Sequence, residues 1–257
     1  MAGSLPRVAQ GLADEKLVQA IDGVVDPGRA WQPVMKFSII VPVLNEAGAM
    51  PALAAQLRPL VREGTEVLLV DGGSTDDTCA LAVRAGLQVL HSACGRATQM
   101  NAGAVRTTGD VLLFLHADTQ LPPGALERVQ SSLQSPCCWG RFDVRISGQS
   151  RMLVVVAFMM NWRSRLTGMA TGDQAIFMTR QAFESIGGMP EQPLMEDIEV
   201  SRRLRALAPP ACLRCKVTTS GRRWDSRGVW RTIFLMWRLR WAYWRGTPAS
   251  QLAEAYR

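Results

Sequence analysis

Phe37-Ser38-Ile39-Ile40-Val41-Pro42-Val43, running straight into Leu44-Asn45-Glu46, is the stretch on which the fold turns. Its unbroken apolar and β-branched character suits a strand buried on both faces, the environment of a parallel sheet. Similar runs recur downstream, separated by helical segments. A helix is predicted from about Ala47 to Arg62, and a second strand over Glu66–Asp71 that ends in Gly72-Gly73-Ser74. Ser74 or Thr75 then caps a helix with Asp76 and Asp77 in its first turn, closed by Gly86. A strand over Leu87–His91, a helix over Thr98–Thr107 and a strand over Asp110–His116 follow. This alternation predicts an α/β domain with a mostly parallel sheet flanked by helices.

Working outward, Pro122 and Pro123 open another helix, and beyond Pro136 the pattern loosens. Trp139–Ile146 alternates like a half-exposed strand, and Met152–Leu166 reads as a helix with an apolar face. Ala175–Met178 is a short strand, Glu196–Leu207 a helix and Cys212–Thr218 the last strand. The predicted organisation is an N-terminal extension over 1–34, an α/β domain over 35–226 and an amphipathic helical tail over 227–257. That tail, Phe234 to Arg245, mixes tryptophan with arginine as membrane-interface helices do. The other reading of it is a helix packing its aromatics over the active site or against a second copy. No secretory leader is visible, and no run reaches the ~20 apolar residues of a spanning helix. The expectation is a cytoplasmic protein, or one peripheral at the inner face of the membrane.

The 257 residues are 47% hydrophobic, enough for a sizeable core, and carry a formal charge of +7. Arginine supplies nearly all of the positive charge, since the lysines are Lys16, Lys36 and Lys216. Such an excess suits a nucleoside diphosphate, an anionic membrane surface or nucleic acid. The cysteines do not form evenly spaced pairs, and Cys212-x-x-Cys215 has no second pair to complete a zinc site. A reducing compartment is expected.

Polar residues that serve ligands in parallel sheets gather at the carboxyl ends of strands. Three such ends stand out: Pro42-Val43-Leu44-Asn45-Glu46, Asp71-Gly72-Gly73-Ser74 and His116-Ala117-Asp118. In an extended segment His116 and Asp118 would face the same way. A carboxylate there can hold Mg²⁺ or Mn²⁺ against a diphosphate, because these hard ions share oxygen ligands with phosphates. Gly95-Arg96-Ala97-Thr98-Gln99-Met100-Asn101 places an arginine at a helix start, where backbone N–H groups favour anions.

These motifs, in this order, resemble family 2 glycosyltransferases from about Met35 to Ala242. The resemblance implies a GT-A fold, a Rossmann-like nucleotide-sugar-binding sheet with a C-terminal acceptor-side region. It implies a nucleotide-sugar donor, no nucleic-acid partner, and a divalent metal on Asp118, with His116 beside it where the family has an acidic residue. Asp71 would meet the uracil or ribose, Pro42, Asn45 and Glu46 would line the nucleotide pocket with Gly72 and Gly73, and Asp197 would be the general base with Glu196 its neighbour. A bacterial subfamily associated with radical-SAM/selenodomain proteins or arsenosugar biosynthesis is similar in Gly95-Arg96-Ala97-x-Gln99-Met100-Asn101, Gly172-Asp173-Gln174 and Arg222-Arg223-Trp224. That likeness adds Arg96, Gln99 and Asn101 to the substrate contacts, puts Gly172, Asp173 and Gln174 on the acceptor side, and leaves Arg222 and Arg223 to the diphosphate and Trp224 to the sugar or acceptor. The missing membrane segments of processive relatives point to transfer of one sugar.

Two other enzyme classes share such a sheet. A nucleotidyltransferase would carry a G-x-G-x-R loop after the first strand, and a dinucleotide dehydrogenase G-x-G-x-x-G. Asn45-Glu46-Ala47-Gly48 stands there instead. The non-enzymatic alternative is an inactive nucleotide-binding or membrane-surface module of the same fold.

Overall fold

In the computed structural model, which describes residues 35–134 and 136–256, the run Phe37–Val43 forms strand β1 with Ile39, Ile40 and Val41 fully enclosed. The predicted extension at 1–34 lies outside the described residues. Strand β1 pairs in parallel with β2 (Glu66–Asp71) and β4 (Val111–Phe114), and β2 pairs in parallel with β3 (Gln88–His91). Helices α1 (Met50–Arg62), α2 (Thr78–Arg84) and α3 (Arg96–Arg106) connect them. The chain continues through β5 (Thr119–Gln120), α4 (Ala125–Ser132), β6 (Trp139–Ser147) and α5 (Met152–Thr167). After a 3-10 turn at Gly172–Gln174 come β7 (Phe177–Thr179), α6 (Arg180–Ser185), α7 (Glu196–Leu207) and β8 (Ala211–Ser220). Helices α8 (Arg222–Arg227), α9 (Val229–Trp244) and α10 (Ala249–Tyr256) follow. The sheet order is β3-β2-β1-β4-β7-β6-β8-β5, with β7 antiparallel to both of its neighbours.

Strand alternation sends successive β1 residues to opposite faces. Ile39 and Val41 join Leu69, Leu113 and helix α1 in one apolar layer, while Ile40 joins Val70, Phe114, helix α3 and Val200 of α7 in the other. Both faces are covered, which is why β1 needs no polar residue in rhythm. Gly103 lets α3 close on the sheet, since a Cβ there would come 2.5 Å from Ile40 Cγ2. At the amino end of the strands Glu66 accepts from Lys36 Nζ (2.9 Å), Ser38 Oγ (2.7 Å) and Thr108 N (2.8 Å). Burial opposes its charge, yet these bonds hold its pKa at about 2.

Several sequence expectations are corrected. Helix α2 starts at Thr78, because Ser74 accepts from Asn45 N and Asp76 accepts from Thr78 N, so residues 74–77 lace loops together instead of forming a first turn. Strand β6 is buried from Trp139 through Val144 and is not half-exposed: α5 covers it, with Asn161 bonded to both backbone groups of Val144 (2.8 and 3.0 Å). Its charged residue Arg141 is enclosed by pairing with Asp143, which Arg165 also holds at 2.7 Å. Strand β5 and helices α6 and α8 were not foreseen, and the helical tail is divided into α9 and α10. Helix α9 forms, but of its aromatics only Tyr243 packs inward, its hydroxyl bonded to Gln192 at 3.2 Å. Leu235, Met236, Leu239 and Ala242 turn inward against Leu194, Met195 and α10, which leaves Trp230, Phe234, Trp237, Trp241 and Trp244 60–80% exposed. No helix among the described residues is long and apolar enough to cross a membrane.

Candidate active site

The loops after β1 and β2 form one side of the site. Asn45 adopts φ 54°, a left-handed conformation that asparagine tolerates better than most residues. It accepts from Thr75 N (2.8 Å), while Glu46 N donates to Thr78 Oγ1 (2.8 Å). Asp71 is buried, and its carboxylate accepts from Gly73 N (3.0 Å) and Ser74 N (3.1 Å) and contacts His91 Nδ1 at 3.3 Å. Burial opposes its ionisation, but those bonds hold its pKa below the usual value. Asp71 therefore shapes the glycine turn at Gly72 and Gly73 through its own side chain.

An acidic cluster faces these loops from α7. Met195 takes φ 65° just before Glu196 and Asp197, a strained residue locked by its burial against Leu239 and Leu252. Glu196 is buried and bonded to Arg96 Nη1 at 3.1 Å. Burial and the adjacent Asp197 charge push its pKa up, against the pull of Arg96. Asp197 accepts from Gly172 N (3.2 Å) and Ile198 N (2.8 Å), and Asp173 contacts His116 Nδ1 at 3.3 Å. For Asp173 burial is outweighed by His116, Arg96 and Arg223, which hold its carboxyl below the ordinary range. Pro42, His116, Gly172, Glu196 and Asp197 line one cavity.

Asp118 faces a different hollow. The strand stops at Phe114, and Thr119 N bonds back to His116 O (3.1 Å), so residues 116–118 turn and the expected shared direction of His116 and Asp118 is lost. His116 joins Asp173 and the acidic cluster. Asp118 opens onto a cleft of ≈ 770 Å³, counting its solvent-filled mouth, between α1 and the end of β8. There Arg222 Nη2 lies 3.0 Å from Glu46 Oε2 and 3.5 Å from Asp118 Oδ2. Two carboxylates from different strand ends thus converge on one cation, and hard oxygen donors of this kind fit Mg²⁺ or Mn²⁺. His116 is not part of this pair. Among the described residues the set offering three ligand atoms within 4.8 Å is instead Asp71, Cys79 and His91.

Several residues expected to touch substrate are bonded within the scaffold. Gln99 is buried, and its amide donates to Val43 O (2.9 Å) and Val70 O (2.7 Å), clamping β1 to β2. Asn101 exchanges two bonds with Met189 (2.9 and 2.8 Å). Gln174 is fully buried and accepts from Thr171 N at 3.1 Å. Trp224 packs against the main core, and Arg223 stacks 3.8 Å over the Tyr256 ring. A polar residue that satisfies strand-end carbonyls looks, in sequence, like one waiting for a ligand. The sequence reading also missed Arg163 and Arg240, which lie within electrostatic reach of Asp197 and carry no motif.

Comparison with known proteins agrees with this architecture. Residues 38–184 match the family description "Glycosyl transferase family 2". The chain is 30% identical over 109 residues to undecaprenyl-phosphate 4-deoxy-4-formamido-L-arabinose transferase of Serratia proteamaculans, a match covering 38% of this chain and 33% of that protein. The corresponding Klebsiella pneumoniae enzyme is 32% identical over 111 residues, covering 38% and 34%. The chain thus spans about a third of the length of these curated relatives. Among solved structures, glucosyl-3-phosphoglycerate synthase from Mycobacterium tuberculosis, in complex with Mg²⁺ and UDP, superposes with TM-score 0.56 at 18% identity, covering 74% of this chain and 75% of that one. S. aureus TarS 1-349 in complex with UDP-GlcNAc superposes at 0.57 with 17% identity, covering 73% and 59%. At such identities the likeness is one of fold, an α/β sheet of GT-A type.

Proposed function

The chain belongs to glycosyl transferase family 2, and from that premise we propose that it transfers a single sugar from a nucleoside-diphosphate sugar, UDP-linked, to an acceptor hydroxyl with inversion. The observation that carries this reading is the acidic pair at the start of α7. Asp197 is partly exposed on a cavity wall, oriented by Gly172 N, while buried Glu196 is neutralised by Arg96. Asp197 is the proton acceptor for the attacking hydroxyl, and Glu196 with Arg96 fixes where it stands. The loops of Pro42–Glu46 and Asp71–Gly73 form the base and ribose side. Asp118 and Glu46 would hold a divalent ion, which when bound offsets charge growing on the departing diphosphate. Arg222, already shared between them, serves the same leaving group after moving aside. Within the family, the strings around Arg96, Gly172 and Arg222 support membership of the subfamily associated with radical-SAM/selenodomain proteins. The UDP complexes of structures with this fold support the donor class.

Thermal unfolding with UDP, with and without Mn²⁺, tests the reading. Wild type is expected to gain several degrees only when both are present, and Asp118→Ala to lose that gain. Stabilisation by UDP that ignores Mn²⁺ and survives Asp118→Ala would instead favour a binding module in which Arg222 alone meets the phosphates.

A further inference from the structure

Around Asp197 most charges are answered: Arg96 by Glu196, Asp173 by His116, and Arg223 by the Tyr256 ring. Arg163 on α5 and Arg240 on α9 are not. Arg163 Nη2 is enclosed without a hydrogen-bond partner, and among the described residues the Arg240 guanidinium makes no side-chain hydrogen bond or ion pair. Burial and the neighbouring Arg240 push Arg163 down to about 10, and burial lowers Arg240 despite Asp197 and Asp173. An enclosed guanidinium edge with no partner, beside a second unpaired arginine whose charge opposes it, carries an electrostatic cost that a bound phosphate would relieve. They lie in the field of Asp197, whereas the charge answering Asp118 is Arg222. Their anion therefore belongs with the acceptor and not with the donor diphosphate.

The outer faces of the same two helices show what kind of molecule carries it. On α9 the exposed residues Trp230, Phe234, Trp237, Trp241 and Trp244 follow alternating steps of four and three, one straight apolar stripe. Exposed Arg231, Arg238 and Arg245 run beside it at steps of seven. Helix α5 exposes Val155, Phe158, Met159, Trp162 and Leu166. Neither α5 nor α9 contains an aspartate or glutamate. Pairing this face with a second copy would bring arginine rows together, whereas an anionic lipid surface complements both the stripe and the row.

We propose that the α5–α9 face seats on an anionic membrane and that the acceptor is the hydroxylated head group of an anionic phospholipid, its phosphate on Arg163 and Arg240 and its hydroxyl at Asp197. This rests on the transferase reading above. In the step, the head-group oxygen bonds to the anomeric carbon as the bond from that carbon to the diphosphate oxygen breaks. The hydroxyl proton goes to Asp197, and the nucleoside diphosphate leaves with the bonding electrons.

The full chain is tested first by co-sedimentation with phosphatidylglycerol or phosphatidylcholine vesicles. At least tenfold more protein is expected on phosphatidylglycerol, and Trp237→Glu/Trp241→Glu should abolish it. Equal binding to both lipids, or none, overturns the membrane seat, as does a wild-type dimer that the double variant dissolves. The head-group site is tested by thermal shift with dihexanoyl-phosphatidylglycerol below its micellar concentration. Wild type should be stabilised and Arg163→Gln/Arg240→Gln should not, although the variant still sediments with vesicles. An equal shift from glycerol 3-phosphate assigns the site to a soluble phosphate and overturns the lipid assignment, and an undiminished shift in the double variant removes the two arginines. UDP stabilisation with Mn²⁺ in the same variants keeps the outcomes apart: its presence without lipid binding sinks this proposal alone, its absence sinks the transferase reading beneath it.

Discussion

Gly172→Ala should disable the site without unfolding the protein. A Cβ on Gly172 would stand 2.5 Å from His116 Cε1 and Nε2, whereas ordinary contact begins at 3.4 Å. The imidazole must therefore retreat by about 1 Å, and a misplacement of that size can cost on the order of 100-fold in rate. That corresponds to roughly 2.7 kcal/mol of barrier. The retreat disturbs the 3.3 Å His116–Asp173 contact and the wall that His116 shares with Glu196 and Asp197. Gly172 has ordinary backbone angles, so alanine adds no conformational strain. Gly48→Ala is the control, since it lines the Asp118 cleft and a Cβ there meets nothing within 4 Å. The assay is steady-state release of UDP with the best donor of a UDP-, GDP- and dTDP-sugar panel, alongside thermal unfolding. A Gly172→Ala enzyme with wild-type kcat, or a Gly48→Ala enzyme equally impaired, refutes the reasoning.

Asp197→Asn should leave Mn²⁺-dependent UDP stabilisation intact and lower transfer by about 100-fold or more, as loss of a general base does. Near wild-type transfer would remove Asp197 from that role. At the opposite end of the sheet, Glu66→Gln should reduce stability and leave the activity of folded enzyme unchanged. A pKa moved from 4.5 to about 2 is an upper limit of roughly 3 kcal/mol. With Glu66 29% exposed and Lys36 half-exposed, about 1–2 kcal/mol is expected in urea unfolding at pH 7. Because the folded pKa lies below the unfolded one, this stabilisation is complete above pH 4.5 and fades as pH falls toward 2. A gap between wild type and variant that stays constant from pH 7 to 3 would contradict the assignment.

Strand β2 and helix α7 begin and end where the sequence puts them, at Glu66–Asp71 and Glu196–Leu207, because apolar runs and an acidic helix start are local signals. Strand β6 was misread because burial on its second face is supplied by α5, and an alternation that looks amphipathic can also hide an enclosed ion pair such as Arg141–Asp143. The site shows the same division. Asp197, Asp118 and Arg96 were legible as motifs. The turn that separates His116 from Asp118 was not, since a hydrogen bond from Thr119 back to His116 leaves no residue signature.

By itself the sequence determined the parallel half of the sheet, the strand ends that bear polar residues and the family to which they belong. Each of these depends on residue types within a few positions of one another. Only the tertiary structure decided that Gln99, Asn101 and Gln174 bond within the scaffold, that Glu46 joins Asp118 across Arg222, and that Arg163 and Arg240 come within electrostatic reach of Asp197. A polar side chain takes its role from the group it meets across the fold, and that partner is set by packing between segments far apart in the chain.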